Sequence, residues 1–421
     1  MIQVVLGIDV GTSGVRIAAR DKDGTLKAMA SAPLNGPILD FGRALQDPAL
    51  WWEAMGGAFK ALDLTGLQVL ALAIDGTSGT VLPIDGNGRP VGMASMYNDV
   101  AEPEHVQRIK AVAPPETAAH GATSPLARIV PMQLGAIRIL HQADWLLGQF
   151  CGRFDVSDEN NALKTGYDPV LRAWPQWISQ AGVEVAKLPT VVAAGTRVGT
   201  ILPVVADALG LPHDVAVVAG TTDGCAGFLA SGATEAGDAA TSLGTTLTLK
   251  LLSATPVFAP QYGIYSHRIG DQWLAGGASN TGGVVLKQYF TSAEIVRLTA
   301  LMDANVATGL DYYPLPKAGE RFPINDPNME SRLSPRPAGD HVFLQAIFEG
   351  IAEIEALGYR RLAELGASPL KSIRSAGGGA ANDVWTAIRL QRLQVPAFAS
   401  ASEHAAMGTA RLAWRGIGHD A

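Results

Sequence analysis

The chain has 421 residues, of which 48% are hydrophobic, 17% are charged and 47 are glycine. This length exceeds what one hydrophobic core usually supports, so we expect two domains, and the composition is typical of a compact α/β protein rather than a disordered chain. The net charge of −7 comes without a cluster of Lys or Arg. It therefore argues against nucleic acid or an anionic membrane surface as a partner.

The cysteines and the N-terminus favour a cytoplasmic protein. Cys151 and Cys225 form no CxxC pair, as is usual in a reducing compartment. The apolar N-terminal run ends at Asp9 without the features of a signal peptide, and no apolar run approaches the roughly 20 residues of a membrane span. The histidines form no metal-binding pair, so a dedicated transition-metal site is not expected.

A Gly-rich turn follows the first predicted strand. Residues 2–8 form an apolar strand, and residues 15–20 resume as a second strand after the turn. Glycines, hydroxyls, a carboxylate and a cation are groups that bind phosphate and Mg²⁺. An ordinary hairpin with polar turn residues is the alternative. The candidate residues of this turn are Asp9, Gly11, Thr12, Ser13 and Arg16.

The pattern of this turn recurs near the centre of the chain, in Thr241–Thr246. There a Gly-Thr core again lies between two strand-like segments, which indicates duplicated halves that face each other. Neither copy is a Walker A loop, because GxxxxGK[ST] occurs nowhere in the chain. The first turn also leads into a strand, whereas a Rossmann fingerprint leads into a helix.

Other elements are predicted from periodicity, caps and breakers. They are a helix from Asp47-Pro48 to Ala61, a strand at 67–74, mostly helical structure at 100–215 with amphipathic patterns near 128–150 and 203–209, strands at 261–269 and 272–280, a long helix at 341–366, a strand at 371–376 and a final helix at 404–416 that closes the second domain.

Polar residues follow the predicted strand at 67–74. Fixed donors and acceptors at such a strand end can select the hydroxyl pattern of a polyol or sugar. Turn capping is the alternative role for the same side chains. The candidate sugar-binding residues are Asp75, Thr77, Ser78, Asn98 and Asp99.

Asp223 has the most informative position in the chain. An apolar strand ends at Ala219, the chain breaks at 220–224, and a small-residue helix follows from Cys225 to Ser231. Open α/β sheets bind their ligands at such junctions. The turn at 241–246, with Ser242, Gly244 and Thr245, suits phosphate oxygens.

Two later Gly-rich segments suit a nucleotide. Gly283 opens a helix that carries Lys287 four residues later. Gly378 and Gly379 follow a predicted strand, where a backbone without side chains can pack flat against a purine, and Asn382 could bond its edge or ribose. A close helix-to-sheet contact is the alternative for these glycines.

Taken together, GIDVGTSGVR, DGTSGTVLPIDGNGRP with YND, AGTTDGCAGF, SLGTT and SAGGGAANDVW resemble, in order, the signature segments of the FGGY carbohydrate kinases. The resemblance spans nearly the whole chain. It implies an α/β fold of two actin-like, ribonuclease H-like domains, with mixed sheets flanked by helices and an interdomain cleft. It implies an N-terminal sugar-binding domain at 1–233 and a C-terminal ATP-binding domain at 234–421.

The resemblance also implies a role for each matched residue. Asp223 would be the catalytic base on the sugar hydroxyl, Asp9 would help to hold Mg²⁺, and Thr12 and Arg16 would face the transferred phosphoryl group. Phosphates would be cradled by Ser242, Gly244 and Thr245. The nucleoside would be contacted by Gly283, Gly378, Gly379 and Asn382, and the match is weakest at Lys287.

The chain departs from typical xylulokinases, which carry Gln-Met-His-Gly where Gly76-Thr77-Ser78-Gly79 stands here, and Trp-Asn-Asp where Tyr97-Asn98-Asp99 stands. The sugar-reading histidine is thus missing, and the segments look closest to a compact plant and cyanobacterial branch regarded as D-ribulose kinases. We therefore expect ATP-dependent phosphorylation of D-ribulose, with D-xylulose as the alternative substrate. A sensor without turnover, an actin-fold ATPase and an acyl-phosphate kinase are the rival classes, and a homodimer is left open.

Overall fold

The computed structural model describes residues 1–40 and 42–419. These divide into two compact units. The first comprises Met1–Ala230, His267–Gly270 and the chain from Ser402 to the end of the described residues, and the second comprises Ser231–Ser266 and Asp271–Ala401. The family-domain boundary at 233/234 stays a prediction. The final helix, however, packs within the first unit, whereas we expected it to close the second domain.

Strands and helices are numbered in chain order. The strands are β1 Ile2–Val10, β2 Gly14–Asp21, β3 Leu26–Pro33, β4 Ile38–Asp40, β5 Arg43–Gln46, β6 Leu67–Gly76, β7 Val81–Ile84, β8 Ala94–Ser95, β9 Arg138–His141, β10 Val156–Asp158, β11 Thr190–Val192, β12 Arg197–Thr200, β13 Ala216–Thr222, β14 Asp238–Leu243, β15 Leu247–Ser253, β16 His267–Ile269, β17 Gln272–Ala278, β18 Ser372–Ala376 and β19 Ala397–Phe398. The helices are α1 Pro48–Ala61, α2 Pro103–Val112, α3 Pro125–Met132, α4 Gln142–Cys151, α5 Glu159–Leu163, α6 Trp177–Gln180, α7 Pro203–Leu209, α8 Asp223–Ala230, α9 Gly283–Tyr289, α10 Ser292–Thr299, α11 Asp340–Glu364, α12 Asp383–Leu393 and α13 Ala405–Arg415, with short 3-10 turns at Val185–Lys187, Pro260–Tyr262 and Gly378–Ala381.

The first unit is built on a mixed sheet with strand order β12-β13-β6-β1-β2-β3. β1, β2 and β3 are antiparallel neighbours, while β1, β6 and β13 run parallel. β1 and β6 are nearly continuous apolar runs because helices cover both faces of the sheet. One of the helices that pack on this sheet is α1. It begins as predicted, with the Asp47 side chain accepting a hydrogen bond from the Ala49 amide, and it buries Trp51, Met55 and Phe59.

The final helix α13 lies very close to β1 and α8. A Cβ atom on Gly7 would overlap the backbone of Ala406, and one on Gly408 would overlap the backbone of Ala226. Gly7 therefore allows the backbone of α13 to approach the sheet directly, and Gly408 allows the same close approach to α8. As a result, α13 brings the side chain of Thr409 to the carboxyl end of β6.

The second unit repeats the topology of the first. Its central strands have the order β17-β15-β14-β18-β19, with β14, β15 and β17 antiparallel and β14, β18 and β19 parallel. The same connectivity joins β3-β2-β1-β6-β13, so the internal repeat in the sequence has a counterpart in the fold. The long helix α11 was predicted, and it buries Phe343, Ile347, Ile351, Ile354 and Leu362.

Three local predictions needed correction. The region 100–215 is less helical than expected, because Pro131 lies in the last turn of α3 and residues 138–141 pair with β7 as a strand instead of continuing a helix. One strand was predicted over residues 261–269. The structure instead has a 3-10 turn at Pro260–Tyr262 and a short strand, β16, at His267–Ile269. In the turn predicted at 241–246, the first three residues belong to β14. Among the described residues, no helix combines the length and hydrophobicity needed to cross a membrane.

Candidate active site

Three carboxylates meet at one edge of the sheet in the first unit. Asp9 lies next to the end of β1 and is paired in register with Asp75 of the parallel strand β6. Asp75 is in turn opposite Thr221 of β13, and Asp223 begins α8 directly after that strand. The carboxyl ends of neighbouring parallel strands share one edge, which is where open α/β sheets place ligands. The predicted position of Asp223 between a strand and a helix is confirmed.

Asp75 is the most deeply buried of the three. Its side chain is fully buried, its Oδ2 accepts a hydrogen bond from the Thr409 hydroxyl, and its Oδ1 has no hydrogen-bond partner among the described residues. Burial first, and then the nearby charge of Asp9, raise the pKa of Asp75 well above the usual carboxyl range. A carboxyl group in this state is a poor anion. It is therefore better suited to hydrogen bonding inside the site than to binding a cation.

Asp9 lies in a less enclosed position. Burial raises its pKa, and this effect outweighs the opposing influence of the neighbouring Asp75 side chain and of the charge of Arg16. The Arg16 Nη1 atom lies 3.4 Å from Asp9 Oδ2. Next to this pair, the turn is closed by a 3.0 Å hydrogen bond from the Gly11 amide to the Gly14 carbonyl. Arg16 therefore places a cation beside the strand end, as the sequence predicted.

Asp223 has the position of a proton acceptor. It is half-buried, and its Oδ1 accepts a 2.6 Å hydrogen bond from the amide of Gly224. One carboxylate oxygen is thereby held by the first turn of α8. An oriented and partly accessible carboxylate is what general base catalysis needs.

The segment from Asp75 to Gly79 is held from within the first unit. The backbone amide and hydroxyl of Thr77 both donate to Gln142 Oε1, at 2.9 and 2.8 Å, and its hydroxyl lies 2.7 Å from that of Thr80. The Thr77 hydroxyl is thus used inside the protein. In contrast, the Ser78 hydroxyl is buried and has no hydrogen-bond partner among the described residues. Of the two, Ser78 is the one with hydrogen-bonding capacity left for a ligand.

Asn98 and Asp99 differ in their exposure to solvent and in how far their side chains are used inside the protein. Asn98 is exposed, whereas Asp99 is fully buried. Asp99 accepts two hydrogen bonds from Arg43, one from the Ala44 amide and one from Ser95. Burial alone would raise the pKa of Asp99, but these bonds and the charge of Arg43 hold it below its usual value. The geometry gives Asp99 a structural role in fixing this loop, and its contact with a sugar stays a prediction.

Sequence reasoning missed the residues that hold these segments together. Arg128 is buried and donates to the carbonyls of Gly79, Ser95 and Met96 at 2.5 to 2.9 Å. Gln142 holds Thr77 by accepting its amide hydrogen bond, and Thr409 holds Asp75 by donating its hydroxyl hydrogen bond. No local pattern distinguishes these side chains from ordinary members of amphipathic helices. Their partners lie tens to hundreds of positions away in the chain.

Asp9 is the predicted Mg²⁺ ligand. Within the described ranges, no group of three or more His, Cys, Asp or Glu side chains is arranged as a metal cage. Mg²⁺ commonly binds through one or two carboxylates together with waters and substrate phosphates. The partly buried carboxylate of Asp9 fits that kind of site, because oxygen is the donor that Mg²⁺ prefers.

The second unit contains a pocket of about 710 Å³. Most of the predicted nucleotide residues line it, namely Gly244, Thr245, Gly283, Lys287, Gly378, Gly379 and Asn382. Ser242 does not belong to its lining, since it lies one strand position before the loop. Three separate segments of the sequence, each predicted from its own glycines or hydroxyls, thus converge on one concave surface.

The pocket is lined mainly by apolar side chains, together with the glycine loops. Phe348 and Trp385 stack at 4.7 Å with an interplanar angle of 9° beneath it, and Leu286 and Ile295 complete the apolar lining. The Asn382 amide is already engaged, because Oδ1 accepts from the Trp385 amide and Nδ2 donates to Thr299. Asn382 therefore builds the wall by capping α12, and its direct bond to a nucleoside stays a prediction. A flat apolar slot bordered by glycine loops suits a purine and its phosphates.

Comparison with known proteins identifies the family of the chain. Residues 4–123 match the N-terminal domain and residues 239–417 the C-terminal domain of the FGGY family of carbohydrate kinases. The xylulose kinase of Escherichia coli (strain K12) is 27% identical over 403 residues, which cover 90% of this chain and 83% of the relative. The gluconokinase of Bacillus subtilis (strain 168) is 22% identical over 424 residues, which cover 91% and 82%. The solved structure of a xylulose kinase from Rhodospirillum rubrum has the same fold, with a TM-score of 0.86 at 22% identity over 99% of this chain and 91% of that one.

Proposed function

Given that the chain belongs to the FGGY family of carbohydrate kinases, which are phosphotransferases with an alcohol group as acceptor, we propose that it transfers the γ-phosphoryl group of ATP to a terminal hydroxyl of a ketopentose. Sugar kinases of this family use ATP with a divalent metal, typically Mg²⁺. The observation that supports the proposal most strongly is the oriented carboxylate of Asp223 beside Asp9 and Asp75. The sugar is proposed for this site, and the nucleotide for the pocket of the second unit.

The proposed mechanism asks little covalent chemistry of the protein. Asp223 accepts the proton of the attacking hydroxyl, while the Gly224 amide orients the carboxylate through Oδ1. Asp9 would hold Mg²⁺, which when bound neutralises charge on the phosphates. Arg16, 3.4 Å from Asp9, places positive charge where the transferred group gains negative charge. Positioning and electrostatic stabilisation account for most of the catalysis in this reaction class.

D-Ribulose is the proposed ketopentose. D-Ribulose and D-xylulose differ in the configuration of one hydroxyl, so a site distinguishes them by leaving a polar group unpaired in the wrong complex. Ser78 supplies such a group, because its buried hydroxyl has no partner within the described chain. The segment carries no histidine, in contrast to the xylulokinase pattern. D-Xylulose remains the competing candidate, since several of the relatives found are named xylulose kinases.

Measurement of ADP release with a panel of ketoses, aldoses and polyols tests the activity and its specificity. A buried unpaired group costs about 1–3 kcal/mol, so kcat/KM for D-ribulose should exceed that for D-xylulose by roughly 5- to 150-fold. Ser78→Ala should narrow this ratio, while Asn87→Ala, which changes an exposed side chain outside the candidate sugar residues, serves as the comparison. A wild type that prefers D-xylulose would refute the assignment, and an unchanged ratio in Ser78→Ala would place the selecting group elsewhere.

A further inference from the structure

A buried ion pair lies at the centre of the second unit. Glu355 of α11 is completely buried and Arg389 of α12 is 1% exposed. Arg389 binds Glu355 in a bidentate manner, with 2.6 Å from Nε to Oε2 and 2.7 Å from Nη2 to Oε1. Such a pair adds little net stability, because removing two charges from water offsets most of their attraction. Its contribution therefore has to be sought in what the two side chains hold in place.

The pair is bonded to two strands of the sheet. The Thr241 hydroxyl donates to Glu355 Oε1 at 2.6 Å, and Arg389 Nη1 donates to Ser375 Oγ at 2.8 Å. Since a hydroxyl has one proton to donate, the 2.8 Å contact between Thr241 and Tyr359 is a bond donated by the tyrosine. Thr241 of β14 and Ser375 of β18 are directly opposite each other in the parallel register. One charged pair thus fixes both strands at the same level.

The pocket loops begin immediately beyond this level. Gly244 and Thr245 follow Thr241 by three and four residues, and Gly378 and Gly379 follow Ser375 by the same intervals. The two loops touch without intervening side chains, because a Cβ on Gly377 would lie 2.9 Å from the Leu243 carbonyl oxygen. Glycine loops have high conformational freedom. The ends of the strands that carry them therefore contribute to their positions, together with the hydrogen bonds that the Gly283 and Val284 amides donate to the carbonyls of Gly244 and Thr245.

We infer that Glu355 and Arg389 are positioning residues for the nucleotide pocket, which hold the ends of β14 and β18 so that the two glycine loops face one ligand. The inference rests on the proposed function, because it takes the ligand of this pocket to be ATP. Neither side chain lines the pocket. Any effect on nucleotide binding is therefore indirect. It acts through the bonds to Thr241 and Ser375, or through the packing of α11 against α12, and the variants below separate these routes.

Two variants test the inference without leaving a buried charge unpaired. Thr241→Val with Ser375→Ala cuts the links to the strands and keeps the ion pair. Glu355→Met with Arg389→Met removes the pair and replaces it with apolar side chains of similar length, an exchange that is often tolerated. The matched control is Ser372→Ala, which removes the 2.5 Å bond to Asp238 between the same two strands. That bond lies three residues before the proposed positioning level, or roughly 10 Å away along the strands.

The readouts are Tm, the Kd for ATP by titration calorimetry, and kcat/KM measured separately for ATP and for the sugar. Small displacements of positioning groups cost up to about 10²-fold, so we expect both variants to weaken ATP binding roughly 10-fold or more. The KM for the sugar should stay within about twofold, and Ser372→Ala should bind ATP like the wild type. Wild-type ATP affinity in either folded double variant, or an equal loss in Ser372→Ala, would overturn the inference. A wild type that binds no nucleotide would instead refute the proposed function.

Discussion

Gly378 and Gly379 are neighbours in the pocket loop, but substitutions at the two positions should act on different properties. Neither has a left-handed backbone conformation, so both can carry a side chain without backbone strain. A Cβ on Gly378 would meet no atom within 4 Å, whereas one on Gly379 would lie 2.5 Å from Trp385 Cζ3 and 2.8 Å from Leu243 Cβ. Gly378→Val therefore fills pocket space, and Gly379→Ala disturbs the packing beneath it.

The sizes of both effects follow from these distances. The three carbons of a valine side chain at position 378 displace ligand contact worth about 0.8 kcal/mol per carbon, or about 2.4 kcal/mol, which is roughly a 50-fold increase in the Kd for ATP. At position 379 the overlap with Trp385 and Leu243 is an overpacking defect of about 1–3 kcal/mol. In a unit of this size, each kcal/mol lowers Tm by about 2–4 °C.

Titration calorimetry with ATP and thermal unfolding of both variants separate the two outcomes. Gly378→Val should unfold at the wild-type temperature and bind ATP poorly. Gly379→Ala should unfold earlier, and any loss of ATP affinity should accompany the loss of packing. If Gly378→Val bound ATP as tightly as the wild type, the base or phosphates could not occupy this part of the pocket, and the assignment of the nucleotide site would be refuted.

Three further predictions concern carboxylates of the first unit. Asp223→Asn should lower kcat by about 10²- to 10⁴-fold, the usual contribution of a general base, with the Kd for ATP unchanged; turnover at the wild-type rate would remove Asp223 from catalysis. Asp9→Ala should raise the Mg²⁺ concentration needed for half-maximal activity, because the substitution removes the predicted metal ligand, and a normal Mg²⁺ dependence would contradict that role. Burial raises the pKa of Asp158, the N-cap residue of α5, from 3.8 to about 7. Between these two pH values the folded chain holds a proton that the unfolded chain releases. The free energy of unfolding therefore falls as the pH rises through this window. Asp158→Asn should flatten the decrease in Tm between pH 4.5 and 7.5, and an equally steep decrease in the variant would assign it to other groups.

The strand ends could be predicted because their signals are local. β1, β6 and β13 are apolar runs that stop at polar or glycine residues, and strands buried on both faces produce that pattern. Asp9, Asp75 and Asp223 were placed by this reasoning alone. The same holds for the pocket, since each of its loops carries its own glycines. The convergence of these loops was implied only by the family resemblance.

The interactions that hold the site together could not be predicted in this way. Thr77 is fixed by Gln142, which is 65 positions away, and Asp75 by Thr409, which is 334 positions away. Neither partner has a neighbouring motif that marks it. The family match also could not show that Asp99 is saturated by Arg43 and Ser95. Which polar groups are satisfied inside the protein, and which remain for a ligand, is decided by tertiary packing.

The repeated topology gives a physical reason for assigning the sugar to the first unit and the nucleotide to the second. Asp9 is opposite Arg16 in the antiparallel register and opposite Asp75 in the parallel one. At the equivalent point of the second sheet, Ser242 is opposite Thr248 and Ala376. An acidic residue at this second position would repel a triphosphate that had no metal between them, and the small neutral residues and glycine amides found there carry no such charge. The same scaffold therefore favours proton acceptance and metal binding at one sheet edge, and a polyanion at the other.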